Sequence, residues 1–209
     1  SQKSFDHQMK FLKKHGYQVI SLDDLVEGID KGHLFNRRSV VITFDDGYED
    51  NYTKAFPALK KYHFPATIFV VSDSVGAPGF VNWQQLREMQ KAHISVGSHT
   101  RRHVYLPDVS DQARLEDEII NSKKLLENNL ETEIEYFSYP SGGYTEEIKE
   151  MVQDAKYKGA CATNRGYDRF NTGLFELKRI RINDSDSAIV LWAKISGYYN
   201  LFRNFKNSY

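Results

Sequence analysis

The chain has 209 residues, enough for one domain with a large core and within the single-domain range of α/β barrels. Its 28 Lys and Arg balance 28 Asp and Glu, which argues against nucleic acid or an anionic membrane surface as a partner. The single cysteine, Cys161, excludes an intrachain disulfide, and no run approaches the ~20 apolar residues of a membrane span.

In chain order, Phe5, Met9, Phe11 and Leu12 predict a first helix, closed by Gly16. Tyr17 to Ile20 reads as a short strand, and Ser21 as the cap of a helix to about Lys31. Val40 to Phe44 reads as a buried strand, followed by a helix from about Asn51 to Tyr62. The apolar run Ala66 to Val71 fits a parallel strand buried on both faces. A helix is expected over Trp83 to Ala92, then a strand over Ile94 to Gly97. Ser110 is expected to cap a long helix to about Leu130. Next come a strand from Ile134 to Tyr139, a helix capped by Thr145, strands at Ala160 to Thr163 and Leu177 to Ile182, and a helix from Ser185 to Ser196. An aromatic tail from Tyr198 to Phe205 and Trp192 are expected to pack in the core or at an interface.

Strand and helix alternate about seven times, which implies an α/β fold with a parallel sheet. A distorted or incomplete (β/α) barrel of about seven parallel strands suits this count better than an open sheet. Asp45-Asp46, His99, Ser138-Tyr139-Pro140 and Asn164 all fall just past the C-terminal ends of predicted strands. In α/β barrels that rim is where chemistry collects.

Two of these rim segments carry unusual chemistry. Val40-Val41-Ile42-Thr43-Phe44 runs directly into Asp45-Asp46-Gly47, and an unpaired carboxylate at the end of a buried strand is costly unless something uses its charge. The second segment is Ser98-His99-Thr100-Arg101-Arg102-His103. Two imidazoles four residues apart and one carboxylate make a three-ligand set for a divalent metal, with coordination left open for water. The other carboxylate of the pair is then free to act as a base. Alone, Asp-Asp-Gly is a common loop and either histidine could lie on the surface; together they describe a metal-assisted hydrolase. The remaining five histidines have no partner at ligand spacing and read as structural or exposed. Cys161 reads as a small buried apolar residue.

Thr43-Phe44-Asp45-Asp46-Gly47 resembles the first motif of the polysaccharide deacetylases (carbohydrate esterase family 4, the NodB-like domain). Ser98-His99-Thr100-Arg101-Arg102-His103 resembles their second motif, and Phe137-Ser138-Tyr139-Pro140-Ser141-Gly142-Gly143 their third. The opening, Phe5 to Leu25, resembles the branch that includes exopolysaccharide poly-N-acetylglucosamine deacetylases. The resemblance implies a single NodB-like domain over residues 1–209, cut at its N-terminus, and secreted or associated with the cell envelope. It also implies a distorted (β/α) barrel, a glycan substrate and one divalent ion, zinc first, with cobalt and nickel suited to the same ligands.

Carried over by motif, Asp45 is the expected catalytic base, and Asp46, His99 and His103 the metal ligands. Tyr139 and Pro140 are expected beside the acetyl group, with the Tyr139 N–H as an oxyanion donor. Two departures stand out. The third motif lacks the family's Arg, for which Arg179 on a late strand is the expected substitute, within about 4 Å of Asp45. The family's late acid His is also missing, since no His follows His103; in the exopolysaccharide branch it comes from a segment preceding the first helix. The expected reaction is therefore removal of acetyl groups from an N-acetylated glycan. O-deacetylation of xylan, or glycan binding without turnover, remain the alternatives. The glycan and the oligomeric state are not readable from the residues.

Overall fold

The computed structural model describes residues 1–162 and 173–196. Two short strands, β1 (Gln18–Val19) and β2 (Ser39–Val40), pair in parallel as a separate small sheet. The main sheet is parallel and in sequential order: β3 (Thr43–Phe44), β4 (Ala66–Val70), β5 (Ile94–Ser98), β6 (Tyr136–Ser138), β7 (Gly159–Ala162) and β8 (Leu177–Lys178). That winding curls the sheet until its edges approach. Arg179, just after β8, donates to the Thr43 hydroxyl on β3 at 3.3 Å. Among the described residues no ladder joins β8 to β3, so the form is a distorted (β/α) barrel with six strands in its curled sheet.

Helices connect these strands: α1 (Gln2–Lys14), α2 (Leu22–Asp30), α3 (Phe56–Tyr62), α4 (Trp83–Gln90), α5 (Gln112–Glu116), α6 (Ser122–Leu130), α7 (Glu146–Asp154) and α8 (Ala188–Ile195). Local chemistry sets their starts. Ser21 and Asp24 form a reciprocal capping box on α2, as Asn82 and Gln85 do on α4. The Thr145 hydroxyl caps α7. No helix among the described residues is long and apolar enough to cross a membrane.

Every residue of β4 is buried, as a parallel strand covered on both faces requires. Its alternation divides the core. Ile68 and Val70 join the larger cluster, with Leu59, Val96 and Phe137. Phe69 joins a second cluster with Tyr136, Cys161 and Leu177 on the other face. Gly97 belongs to that second face too, because a Cβ there would stand 2.5 Å from the Phe69 ring. Adding two residues to Gly97, Tyr136 and Leu177 gives His99, Ser138 and Arg179. The period-2 rule thus turns these three side chains toward the mouth of the barrel.

Three expectations need correction. The run Val40 to Phe44 is not one buried strand. Val40 accepts from Ile20 in the small sheet, and Ile42 accepts from Thr67 in the main one, so the segment changes partner midway and stays only half-buried at the sheet's edge. The long helix from Ser110 is capped by Asp111 instead and is interrupted by a π turn at Asp117–Asn121. Of the two places expected for Trp192, its 46% exposure excludes the core and leaves an interface. Thr163, Asn164 and the tail from Tyr198 to Phe205 lie outside the described residues.

Candidate active site and metal centre

Asp45 and Asp46 follow β3 directly, in a turn where Gly47 donates its N–H to the Asp45 carbonyl at 2.9 Å. Asp46 has φ 70° and Gly47 φ 76°, a left-handed pair that Asp and Gly tolerate best. Gly47 is required for a second reason: a Cβ there would sit 2.8 Å from Val70 Cγ1. The turn brings the Asp46 carboxylate round to face the loop after β5.

That loop carries both histidines. His99 is 2% exposed, and its Nδ1 lies 2.7 Å from the Ser138 carbonyl oxygen. A carbonyl only accepts, so the ring proton sits on Nδ1 and the Nε2 lone pair faces the site. Burial lowers the pKa of this ring, which favours the neutral, ligating form. His99 Nε2 is 3.5 Å and His103 Nε2 3.3 Å from the same Asp46 oxygen, Oδ1. The ligand atoms of Asp46, His99 and His103 all lie within 4.8 Å of one another. One carboxylate and two imidazoles converging in this way suit a divalent transition metal, so the residues present fit the implied ion.

Asp45 points to the other partner. Arg179 binds it through two parallel hydrogen bonds, Nη1 to Oδ1 at 2.7 Å and Nη2 to Oδ2 at 2.8 Å. The pairing expected from the sequence is therefore present. Ser138 bridges the pair: its hydroxyl accepts from Arg179 at 2.9 Å and donates to Asp45 at 3.3 Å. Burial pushes the Asp45 carboxyl up, but the hydrogen bonds and charge of Arg179 outweigh it and hold the carboxyl below its usual range. The guanidinium also lies over the Phe69 ring, 5.7 Å from its centroid. The outcome is an ionised, oriented carboxylate next to a three-donor cluster.

Tyr139 does not take its expected place. It is fully buried, its hydroxyl donates to the Phe175 carbonyl at 3.0 Å, and its N–H donates to the Cys161 carbonyl at 3.0 Å. Pairing with β7 uses the Tyr139 N–H that was expected to serve an oxyanion. Pro140 is buried as well, in a turn from Pro140 to Gly142. Ser138 was read only as a rim residue, yet it contributes a hydroxyl to Asp45 and a carbonyl to His99. A serine ending an apolar strand is the signal that marks it. Thr100 braces the loop as expected, its hydroxyl accepting the His103 N–H at 3.0 Å.

Comparison with known proteins agrees with this geometry. The sequence profile described as Polysaccharide deacetylase matches residues 34–160. YxkH of Bacillus subtilis, whose name places it among the polysaccharide deacetylases, is 34% identical over 193 residues, covering 92% of this chain and 69% of that one. The poly-beta-1,6-N-acetyl-D-glucosamine N-deacetylase of Staphylococcus aureus is 28% identical over 197 residues, covering 88% of this chain and 68% of that one. The deacetylase PplD of Streptococcus pyogenes, solved with acetate, superposes with a TM-score of 0.87 at 29% identity, over 93% of this chain and 86% of that one. The profile spans most of the chain, the relatives span nearly all of it, and the motif residues meet at one barrel mouth; the chain belongs to the polysaccharide deacetylase family of hydrolases.

Proposed function

We propose that this chain removes acetyl groups from the amide nitrogens of an N-acetylglucosamine polysaccharide, with Asp45 as general base beside a zinc site formed by Asp46, His99 and His103. The observation that carries this reading is the juxtaposition of a bidentate Asp45–Arg179 pair with a three-donor cluster in which His99 is locked in its ligating tautomer. A divalent cation in that cluster supplies Lewis-acid polarisation of the acetyl carbonyl and acidifies the attacking water.

The protein's own groups do the rest. Asp45 is ionised, accepts the proton of the attacking water, and returns that proton to the departing amine as the C–N bond breaks. Arg179 and Ser138 keep both of its oxygens in place through that transfer. The Ser138 carbonyl fixes the His99 ring, so one residue organises both halves of the site. The Staphylococcus aureus relative's name supports a β-linked N-acetylglucosamine polymer as the glycan, and such a substrate is in keeping with a secreted or cell-envelope location.

The test is acetate release from N-acetylglucosamine oligomers by zinc-loaded protein and by Asp45→Asn. The variant is expected to lose about 10²–10⁴-fold in turnover while still binding zinc. Normal turnover in Asp45→Asn would refute the base assignment, and loss of zinc would mean that the two carboxylates have exchanged roles. Hydrolysis of a chromogenic acetate ester without release from the oligomers would replace the amidase reading with an esterase.

A further inference from the structure

The loop that carries the two histidines is held in a strained form. Thr100 has φ 64° and His103 φ 59°, both left-handed, and a branched Thr rarely adopts that region. Such backbone persists only where its surroundings over-determine it. Between the two lie Arg101 and Arg102, whose N–H groups point the same way. Both donate to one oxygen, Oε2 of Glu118, at 3.0 Å and 2.8 Å. The other oxygen, Oε1, accepts from the Arg102 guanidinium at 3.0 Å.

Glu118 is fully buried. A carboxylate in that position is costly unless it is paired, and here the two N–H groups and the guanidinium pair it. It lies in the π turn Asp117–Asn121, where the wider backbone interrupts an otherwise regular helix; such turns recur at functional sites. Its neighbour Asp117 binds both guanidiniums from the same turn, and Asp73 binds both from the loop after β4. Three carboxylates from two elements thus converge on Arg101 and Arg102, two of the three residues that separate His99 from His103.

We propose that Glu118 is a positioning residue: it clamps the Arg101–Arg102 backbone so that His99 and His103 keep the spacing a divalent cation needs, and it thereby sets the metal affinity of the centre. This rests on the metal reading of the Asp46, His99 and His103 cluster. Glu118 touches none of the three and acts through the backbone between two of them.

The test measures zinc affinity on metal-free protein by competition with a chromogenic chelator, at a temperature where circular dichroism shows each protein folded. Glu118→Leu removes every acceptor, while Glu118→Gln keeps one oxygen for the two N–H groups. Leu126→Ala, in the same helical segment but away from the loop, controls for lost stability. The zinc Kd is expected to rise about 10–100-fold in Glu118→Leu and by less in Glu118→Gln, as for other groups that orient metal ligands. Activity should recover when zinc is raised to saturation. A Kd within about threefold of wild type in folded Glu118→Leu would overturn the proposal, as would an equal rise in Leu126→Ala. If Glu118→Leu does not fold, Glu118→Gln decides by the same comparison with Leu126→Ala. Wild-type protein that binds no zinc would overturn this proposal together with the metal reading, whereas unchanged affinity in the variants would overturn this proposal alone.

Discussion

Asp45 and Asp46 are adjacent, yet the structure gives them opposite partners. Successive residues of an extended chain point apart, and the left-handed φ of Asp46 completes the separation. Asp45 meets a cation and Asp46 meets two imidazoles. The consequence is testable through pH. Burial raises the Asp45 pKa and Arg179 lowers it further than burial raises it, so the base stays ionised to lower pH than an ordinary carboxylate. Arg179→Met removes the guanidinium and leaves the burial. The Asp45 pKa should then rise above the ordinary carboxylate value, and the acid limb of kcat/KM should move to higher pH, less so in Arg179→Lys. An acid limb that stays in place in Arg179→Met would show that the pair does not govern the base. The sequence made Asp45, Asp46, His99 and His103 legible because charged or ligating residues directly after apolar strands are conspicuous. Arg179 was reached through the Arg missing from the third motif. Tyr139 was misread because backbone pairing, which uses its N–H, leaves no trace in residue type.

Among the elements, the helical segment after Asp111 shows where pattern reading stops. Its apolar spacing predicted one helix, and most of that helix is present. The π turn inside it was not legible, because Asp117 and Glu118 look like an ordinary solvent-facing acidic pair. In place, they face two arginines on another loop. The partner change within Val40 to Phe44 was hidden for a similar reason: strand composition reports burial, not the identity of the neighbour. Asp117 gives the element its own prediction. Hydrogen bonds from Asn121, Arg102 and Arg101, with the Arg101 charge, hold its carboxyl down at about 2, well below the ~3.9 of an unfolded chain. A depressed carboxylate stabilises the fold above the unfolded pKa, and that stabilisation fades as pH falls through the folded one. Asp117→Asn should therefore be less stable than wild type at neutral pH. The difference in urea midpoint should shrink as pH falls from about 5 to about 2. A gap that is constant over that range would mean the carboxylate's charge is not what stabilises the turn.

At the scale of the whole molecule, the curl of the sheet brings the chemistry together. β3 and β8 lie at opposite edges of the strand order, yet Arg179 reaches Thr43 and Asp45. Strand alternation and parallel order were readable in advance; the degree of closure was not, since it depends on packing such as Gly97 against Phe69. The Asp46, His99 and His103 cluster would, with a cation bound, add a second tie across the same mouth, joining the turn after β3 to the loop after β5, with β4 between them. A cation bound only by the folded form must stabilise it. At a free zinc concentration 100 times the Kd, the gain is about 2.7 kcal/mol. For a chain of this length each kcal/mol is worth roughly 2–4 °C, so the melting temperature should rise by about 5–10 °C. A chelator should reverse the rise, and Asp46→Ala, which removes one of the three donors, should shrink it sharply. Asp45→Asn should keep it, because Asp45 lies outside the cluster. Calorimetry of the three proteins with and without zinc separates ligand from base without any substrate. A melting temperature indifferent to zinc, or a rise that survives in Asp46→Ala, would remove the cluster from the account of this site.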